Sequence, residues 1–136
     1  MIISINGVNA IDISDNTTIG DQSTTIYVDC SYSGDNESGT QSNPYKLVSS
    51  AVGNATGGET IFIADGNYTE SARITLAANK PLSFVGESCD GVILTTSGTG
   101  GLFLLTGSGS RLSFVNLTLK DIHTTGSNAA LKVGGE

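Results

Sequence analysis

The chain is 136 residues long, enough for one domain with a core of its own. Its net charge of −7, from 13 acidic side chains against six Lys and Arg, excludes a basic patch of the kind that binds nucleic acid or anionic lipid. Apolar residues make up 38%, too many for a disordered tail, while 18 Gly, two Pro and no Trp favour short strands joined by turns over long helices.

Residues 1–24 read as a lead-in segment. In "MIISINGVNA", Val8 and Ala10 stand where a secretory cleavage site takes small residues, but there is no basic start and the apolar run is short. The segment fits a remnant of a secretion signal and an ordinary N-terminus equally well. No run in the chain approaches the roughly 18 apolar residues of a membrane-crossing helix, so no transmembrane segment is expected.

The first convincing strand is "TTIYVDC", with Ile26 and Val28 on one face. A polar loop follows, "SYSGDNESGTQSN". Its Asp35, Asn36 and Glu37 lack the ligand spacing of a calcium-binding loop, and it reads as a turn with no metal site. The one predicted helix is "NPYKLVSSAVGNATGG", with Asn43 as cap, Pro44 in the first helical position and Gly57-Gly58 as the stop. Val48, Ala51, Val52 and Ala55 form a narrow stripe of small apolar residues, suited to a helix laid flat across the end of something else.

From residue 60 the pattern repeats. Short apolar strokes stand at 60–63, 73–76, 82–85, 92–95, 102–105, 112–115, 117–119 and 130–133, separated by turn residues such as "ADGN" and "TGSGS". Leu82, Val92, Leu102 and Leu112 fall ten apart, and "LSFV" recurs after 30 positions. Antiparallel hairpins of a sandwich or barrel would explain short strands. A parallel β-helix, three strokes to a coil, also explains why "LSFV" returns after three strokes, because matching positions on adjacent coils look alike. The expected fold is therefore all-β, a parallel solenoid with a short N-terminal capping helix. Ile61, Ile63, Ile74 and Leu76 point inward, and Asp65-Gly66 turns a corner. "LKVGGE" ends in mid-pattern, so the solenoid is expected to be truncated at its C-terminal end, with 25–136 forming the cap and first coils.

Taken together, "IYVDC", "SGDNESGTQSNPYKLVSSAV", "GGETIFIADGNYTE", "LSFVGE" and "LSFVNLTLKD" resemble the N-terminal region of right-handed parallel β-helix proteins of the pectate-lyase-like superfamily. They are most similar to the adhesin-like surface proteins of methanogenic archaea. The resemblance spans about residues 25–136 and implies a right-handed β-helix. It implies less about function, since lyases, hydrolases and adhesins share this module.

The search for chemistry is correspondingly spare. The pairs Asp65/Glu70 and Asp90/Asp121 are candidates for a glycosidase, but Asp65 and Glu70 flank "GNYT" and Asp90 sits beside Gly91, placements that turns ask for. His123 is the sole histidine, which excludes a His-based metal cluster and reads as a solvent-facing turn residue. "GTGG" and "GSGS" lack the Lys and helix of a phosphate loop. No catalytic residue, metal or cofactor is expected. Cys30 and Cys89 either pair, which would stabilise by roughly 4 kcal/mol on chain entropy, or remain free buried thiols. Asn16, Asn36, Asn54, Asn67 and Asn116 sit in Asn-x-Ser/Thr glycosylation acceptors, an excess of about two-fold over chance. Asn116, between two apolar strokes, also suits an inward corner that bonds turn backbone. Of the four tyrosines, Tyr27 and Tyr32 are the candidate surface contacts, while Tyr45 and Tyr68 suit the cap.

The function expected is a cell-surface, adhesin-like or structural protein, extracellular, whose partners are carbohydrate or protein of another cell. The alternative is the N-terminal part of a polysaccharide lyase or glycoside hydrolase.

Overall fold

A computed structural model of the chain describes residues 2–5, 8–12, 17–18, 24–98, 101–106, 108–120 and 131–133. The lead-in has strands of its own: β1 (Ile2–Ile5), β2 (Val8–Asp12) and β3 (Thr17–Thr18) form an antiparallel sheet. After it come β4 (Thr25–Val28) and the helix α1 (Val48–Asn54). The remaining strands are β5 (Thr60–Ile63), β6 (Gly66–Glu70), β7 (Ile74–Ala77), β8 (Leu82–Gly86), β9 (Val92–Thr96), β10 (Phe103–Thr106), β11 (Leu112–Val115), β12 (Thr118–Leu119) and β13 (Leu131–Val133). Nine of these and β4 build three parallel sheets, β4-β5-β8-β11, β6-β9-β12 and β7-β10-β13. From β5 onward the chain visits the three sheets in the same order each time.

Register explains the repeat. Leu112 pairs with Leu82, Ser113 with Ser83, Phe114 with Phe84 and Val115 with Val85, so the second "LSFV" lies directly on the first. Within each strand alternate side chains turn inward. One hydrophobic cluster receives Ile61, Ile63 and Phe84 from the first sheet, Tyr68, Val92 and Leu94 from the second, and Ile74, Leu76 and Phe103 from the third. Phe84 stacks on Phe114 with ring centroids 5.2 Å apart and meets Phe103 edge-on at 5.3 Å. Each fully buried Ile, Leu or Phe contributes on the order of 2 kcal/mol by leaving water, and the in-register stack lets the same burial recur at every cycle.

The predicted stripe of the helix holds, with Val48, Ala51, Val52 and Ala55 all buried, but the predicted start does not. The helix begins at Val48, four residues after Pro44, with Leu47 as its N-cap. The backbone before it is committed elsewhere: Tyr45 N–H donates to Tyr27 O and Asp29 N–H donates to Tyr45 O, which holds this stretch extended beside β4. Leu47 offers no side-chain cap. Glu70, on β6 and only 2% exposed, supplies it: its Oε1 accepts from Val48 N–H at 2.8 Å and Ser49 N–H at 3.2 Å. At the other end Lys80 Nζ donates to Val52 O at 2.8 Å. Gly57 and Gly58 then take φ values of 127° and 94°, which favour glycine, as the chain turns into β5. With its ends held this way, α1 packs on β4, β5, β6 and β7.

Strand β6 is absent from the expected strokes, since "GNYTE" carries no apolar run. Its inward residues are Tyr68 and Glu70, both buried and both hydrogen-bonded. Replacing Glu70 with Leu would leave the N–H groups of Val48 and Ser49 without their acceptor. We expect Glu70→Leu to lose about 2–3 kcal/mol of stability, read as a lower urea midpoint, and Glu70→Gln, which retains a carbonyl acceptor, to lose clearly less.

Candidate contact face

The side chains that do not enter the core form rows across the outside of the β4-β5-β8-β11 sheet. Thr25, Thr60, Ser83 and Ser113 stand in one row, and Ser113 Oγ lies 2.9 Å from Ser83 Oγ. Two residues further along each strand, Tyr27, Phe62, Val85 and Val115 stand in another. This second row is apolar although it faces outward. Val115 is 55% exposed, and the Tyr27 and Phe62 rings lie 5.8 Å apart with an interplanar angle of 56°.

At the Tyr27 end of the row lies a groove of about 300 Å³, lined by Tyr27 and Phe62 together with Asp29, Glu87, Gln41 and Pro44. A local turn fixes the first carboxylate and the neighbouring corner fixes the second. Asp29 Oδ1 accepts from Ser31 N–H at 2.8 Å and from Ser31 Oγ at 2.6 Å, and Glu87 Oε2 accepts from Asp65 N–H at 3.0 Å. The second oxygen of each, Asp29 Oδ2 and Glu87 Oε1, has no hydrogen-bond partner among the described residues. The open edge of β4 is closed by the loop that follows it: Tyr27 N–H donates to Gly39 O at 2.8 Å and Tyr45 N–H to Tyr27 O at 3.0 Å. Gly39, at φ 75°, has the Tyr45 ring against it.

A second hollow of about 440 Å³ lies toward the other end of the same strands, with Arg111, Ser83, Ser113 and Glu59 in its lining. Burial pushes the Glu59 carboxyl up, but bonds from Thr56 Oγ1, Thr56 N–H at 2.8 Å and Gly57 N–H at 2.7 Å outweigh it and hold the group down at about 2, against an ordinary 4.5. Glu59 is thus spent on fixing the turn between α1 and β5.

The residues singled out from sequence divide sharply. Tyr27 lines the groove. Tyr32 instead organises the loop: its hydroxyl donates to Asn43 Oδ1 at 2.8 Å, and Lys46 Nζ stands 5.7 Å over its ring. Tyr68 is in the core, where burial pushes its hydroxyl well above the ordinary tyrosine range; it donates to Ala64 O at 2.8 Å. Asp65 is exposed at a corner while Glu70 is buried under α1, so the two do not face each other across a cleft. Asn36, Asn54, Asn67 and Asn116 are exposed. Asn116 is not inward: it takes φ 61°, and its Nδ2 donates outward of the core to Gly86 O at 3.4 Å and Glu87 O at 3.2 Å. Gly86 leaves room for that close approach, since a Cβ there would stand 2.1 Å from Asn116 O. Asn16, Asp121 and His123 lie outside the described residues. The residues that sequence reasoning missed are Phe62, Asp29 and Glu87. Phe62 reads as part of an apolar stroke, and only the alternation with buried Ile61 and Ile63 marks it as outward.

Cys30 and Cys89 are free and exposed, neither bridged nor buried. They follow β4 and β8, and Val28 pairs with Ile63, which pairs with Gly86. Two strand spacings, about 9.6 Å, therefore separate the ends from which they depart, beyond the roughly 4.4–6.8 Å between Cα atoms that a disulfide spans.

The profile of a family described as a protein of unknown function, DUF1565, matches residues 32–100, just over half of the chain. The chain belongs to this family. DUF1565 is associated with parallel β-helix proteins, and its match here takes in the loop that closes β4, the helix and strands β5 to β9. No curated protein and no solved structure matches the chain.

Two outcomes follow from this geometry. Because the folded-state value of Glu59 lies below the unfolded one, its contribution is present above pH 4.5 and is lost as pH falls toward about 2. The urea midpoint should drop across that window, and Glu59→Gln should flatten the drop. Both thiols should also react with a thiol-specific reagent in the folded protein, giving two modifications per chain by mass.

Proposed function

We propose that this protein is an adhesin-like or structural component of a cell surface, built as a right-handed parallel β-helix whose N-terminal end is capped by α1. On this reading each passage through the three sheets is one coil, and the sheet β4-β5-β8-β11 is the face turned to partners. The observation that carries it is the in-register outward row Tyr27, Phe62, Val85 and Val115. A continuous apolar row on the outside of a sheet is the kind of patch that marks contact with a partner. The DUF1565 match supports the β-helix part of this reading, and the surface role rests on the row and on the sequence resemblance to adhesin-like surface proteins of methanogenic archaea. The exposed Asn-x-Ser/Thr sites Asn36, Asn54, Asn67 and Asn116 suit an exported glycoprotein.

The test is made on intact cells that produce the protein. Protease added outside should remove the protein while sparing cytosolic markers, and cells lacking it should adhere less to carbohydrate-bearing or cellular surfaces. Incubation of the protein with polygalacturonate or alginate and calcium should release no unsaturated uronate. Protection from the external protease would overturn the surface assignment, and release of such products would move the protein to the polysaccharide lyases.

A further inference from the structure

We infer that the Tyr27–Phe62 groove is a binding site for uncharged carbohydrate, with a pyranose ring resting on the two aromatic rings and its hydroxyls donating to Asp29 and Glu87. The inference deepens the surface-contact reading and rests on it for its setting, though not for its chemistry.

The floor comes first. Tyr27 and Phe62 occupy paired positions on adjacent strands, so the backbone ladder holds them side by side, with ring centroids 5.8 Å apart. Tilted 56° to each other, the two rings form an apolar trough whose walls suit the C–H groups of a sugar.

The walls come next. Asp29 and Glu87 are each pinned through one oxygen, by Ser31 and by the Asp65 N–H, and each keeps a second oxygen for a ligand. Carboxylate oxygens accept and do not donate, so the complementary ligand is rich in donors, as a polyol is. Gln41, which also lines the groove, adds an amide that both donates and accepts.

Charge and edge geometry then discriminate between classes of ligand. The lining holds two carboxylates and no Lys or Arg, so uronates, sulfated sugars and phosphates meet repulsion there without a compensating cation. Strand addition by an extended peptide needs a free edge, and the β4 edge beside the groove is already taken by Gly39 and Tyr45. What fits is a ligand that brings donors, a flat apolar face and no negative charge. The apolar row runs on from the groove through Val85 to Val115, so a chain of sugars can extend along the same face.

The experiment uses the full chain and soluble trisaccharides, observed by saturation-transfer NMR and by titration. The probes are glucose-, mannose- and galactose-based neutral trisaccharides, with trigalacturonate and a glucosamine trimer as the anionic and cationic comparators. At least one neutral trisaccharide should bind and trigalacturonate should bind at least about tenfold more weakly. Tyr27→Ala and Phe62→Ala should each weaken the neutral ligand by about tenfold or more, while their urea midpoints stay close to that of the parent. Asp29→Asn should weaken it too, and Arg111→Ala, in the other hollow, should leave it unchanged.

Four results would overturn the assignment: no neutral trisaccharide binds; the anionic or the cationic trimer binds best; binding survives both aromatic substitutions; or the row instead drives self-association that Tyr27→Ala abolishes. The two readings fail separately. Sugar binding by a protein that external protease cannot reach retains the groove and sinks the surface role, and a surface protein that binds no neutral sugar does the reverse.

Discussion

The constraint on which the molecule depends is the register between parallel strands three elements apart. Once Phe84 is paired with Phe114 and Ile61 with Phe84, the inward and outward sets of the whole sheet are fixed together, because the side-chain period of a strand is two. A slip of one residue would carry Ile61, Ile63 and Phe84 to water and Tyr27, Phe62 and Val85 to the core. The cluster that joins all three parallel sheets strongly opposes such a slip. The in-register rows on the outside of this sheet are thus a by-product of core packing.

A second dependence runs through the helix. With seven residues and no side-chain cap of its own, α1 would be marginal in isolation. Its stability is borrowed from distant positions: Glu70 at its first turn, Lys80 at its last, and a buried stripe on β4 to β7. Glu70 and Glu59 are both engaged by backbone N–H groups, Glu70 through Oε1 and Glu59 through both oxygens. Asp29 and Glu87, half-exposed and exposed at the outer corner, each have one oxygen without a hydrogen-bond partner among the described residues.

These dependences show what the sequence could and could not disclose. The "LSFV" repeat announced the β8–β11 stacking because identical side chains on neighbouring strands are the cheapest way to match a stack. The stripe Val48, Ala51, Val52 and Ala55 was legible because it follows a local period. Strand β6 was not, because its inward positions are filled by Tyr68 and Glu70, which qualify for the interior only through partners at Ala64, Val48 and Ser49. The helix start was misplaced for the same kind of reason: Asn43-Pro44 is a good local signal, overridden by the pairing of Tyr45 with β4. Spacing alone could not separate Cys30 from Cys89 either, since only the strand order puts β5 between them.

The groove illustrates the same limit at the level of function. Tyr27 stands out in the sequence, but Phe62 is hidden inside an apolar stroke, and Asp29 and Glu87 look like ordinary turn acids 58 positions apart. They converge because β4, β5 and β8 are neighbours and each strand ends at the same corner. A stacked parallel sheet thereby gathers residues by cycle rather than by segment. It holds their spacing with core packing that their own identity hardly affects. Tyr27, Phe62, Val85 and Val115 can therefore vary at little expense to the fold, so a surface of this kind is well suited to acquiring specificity one outward row at a time.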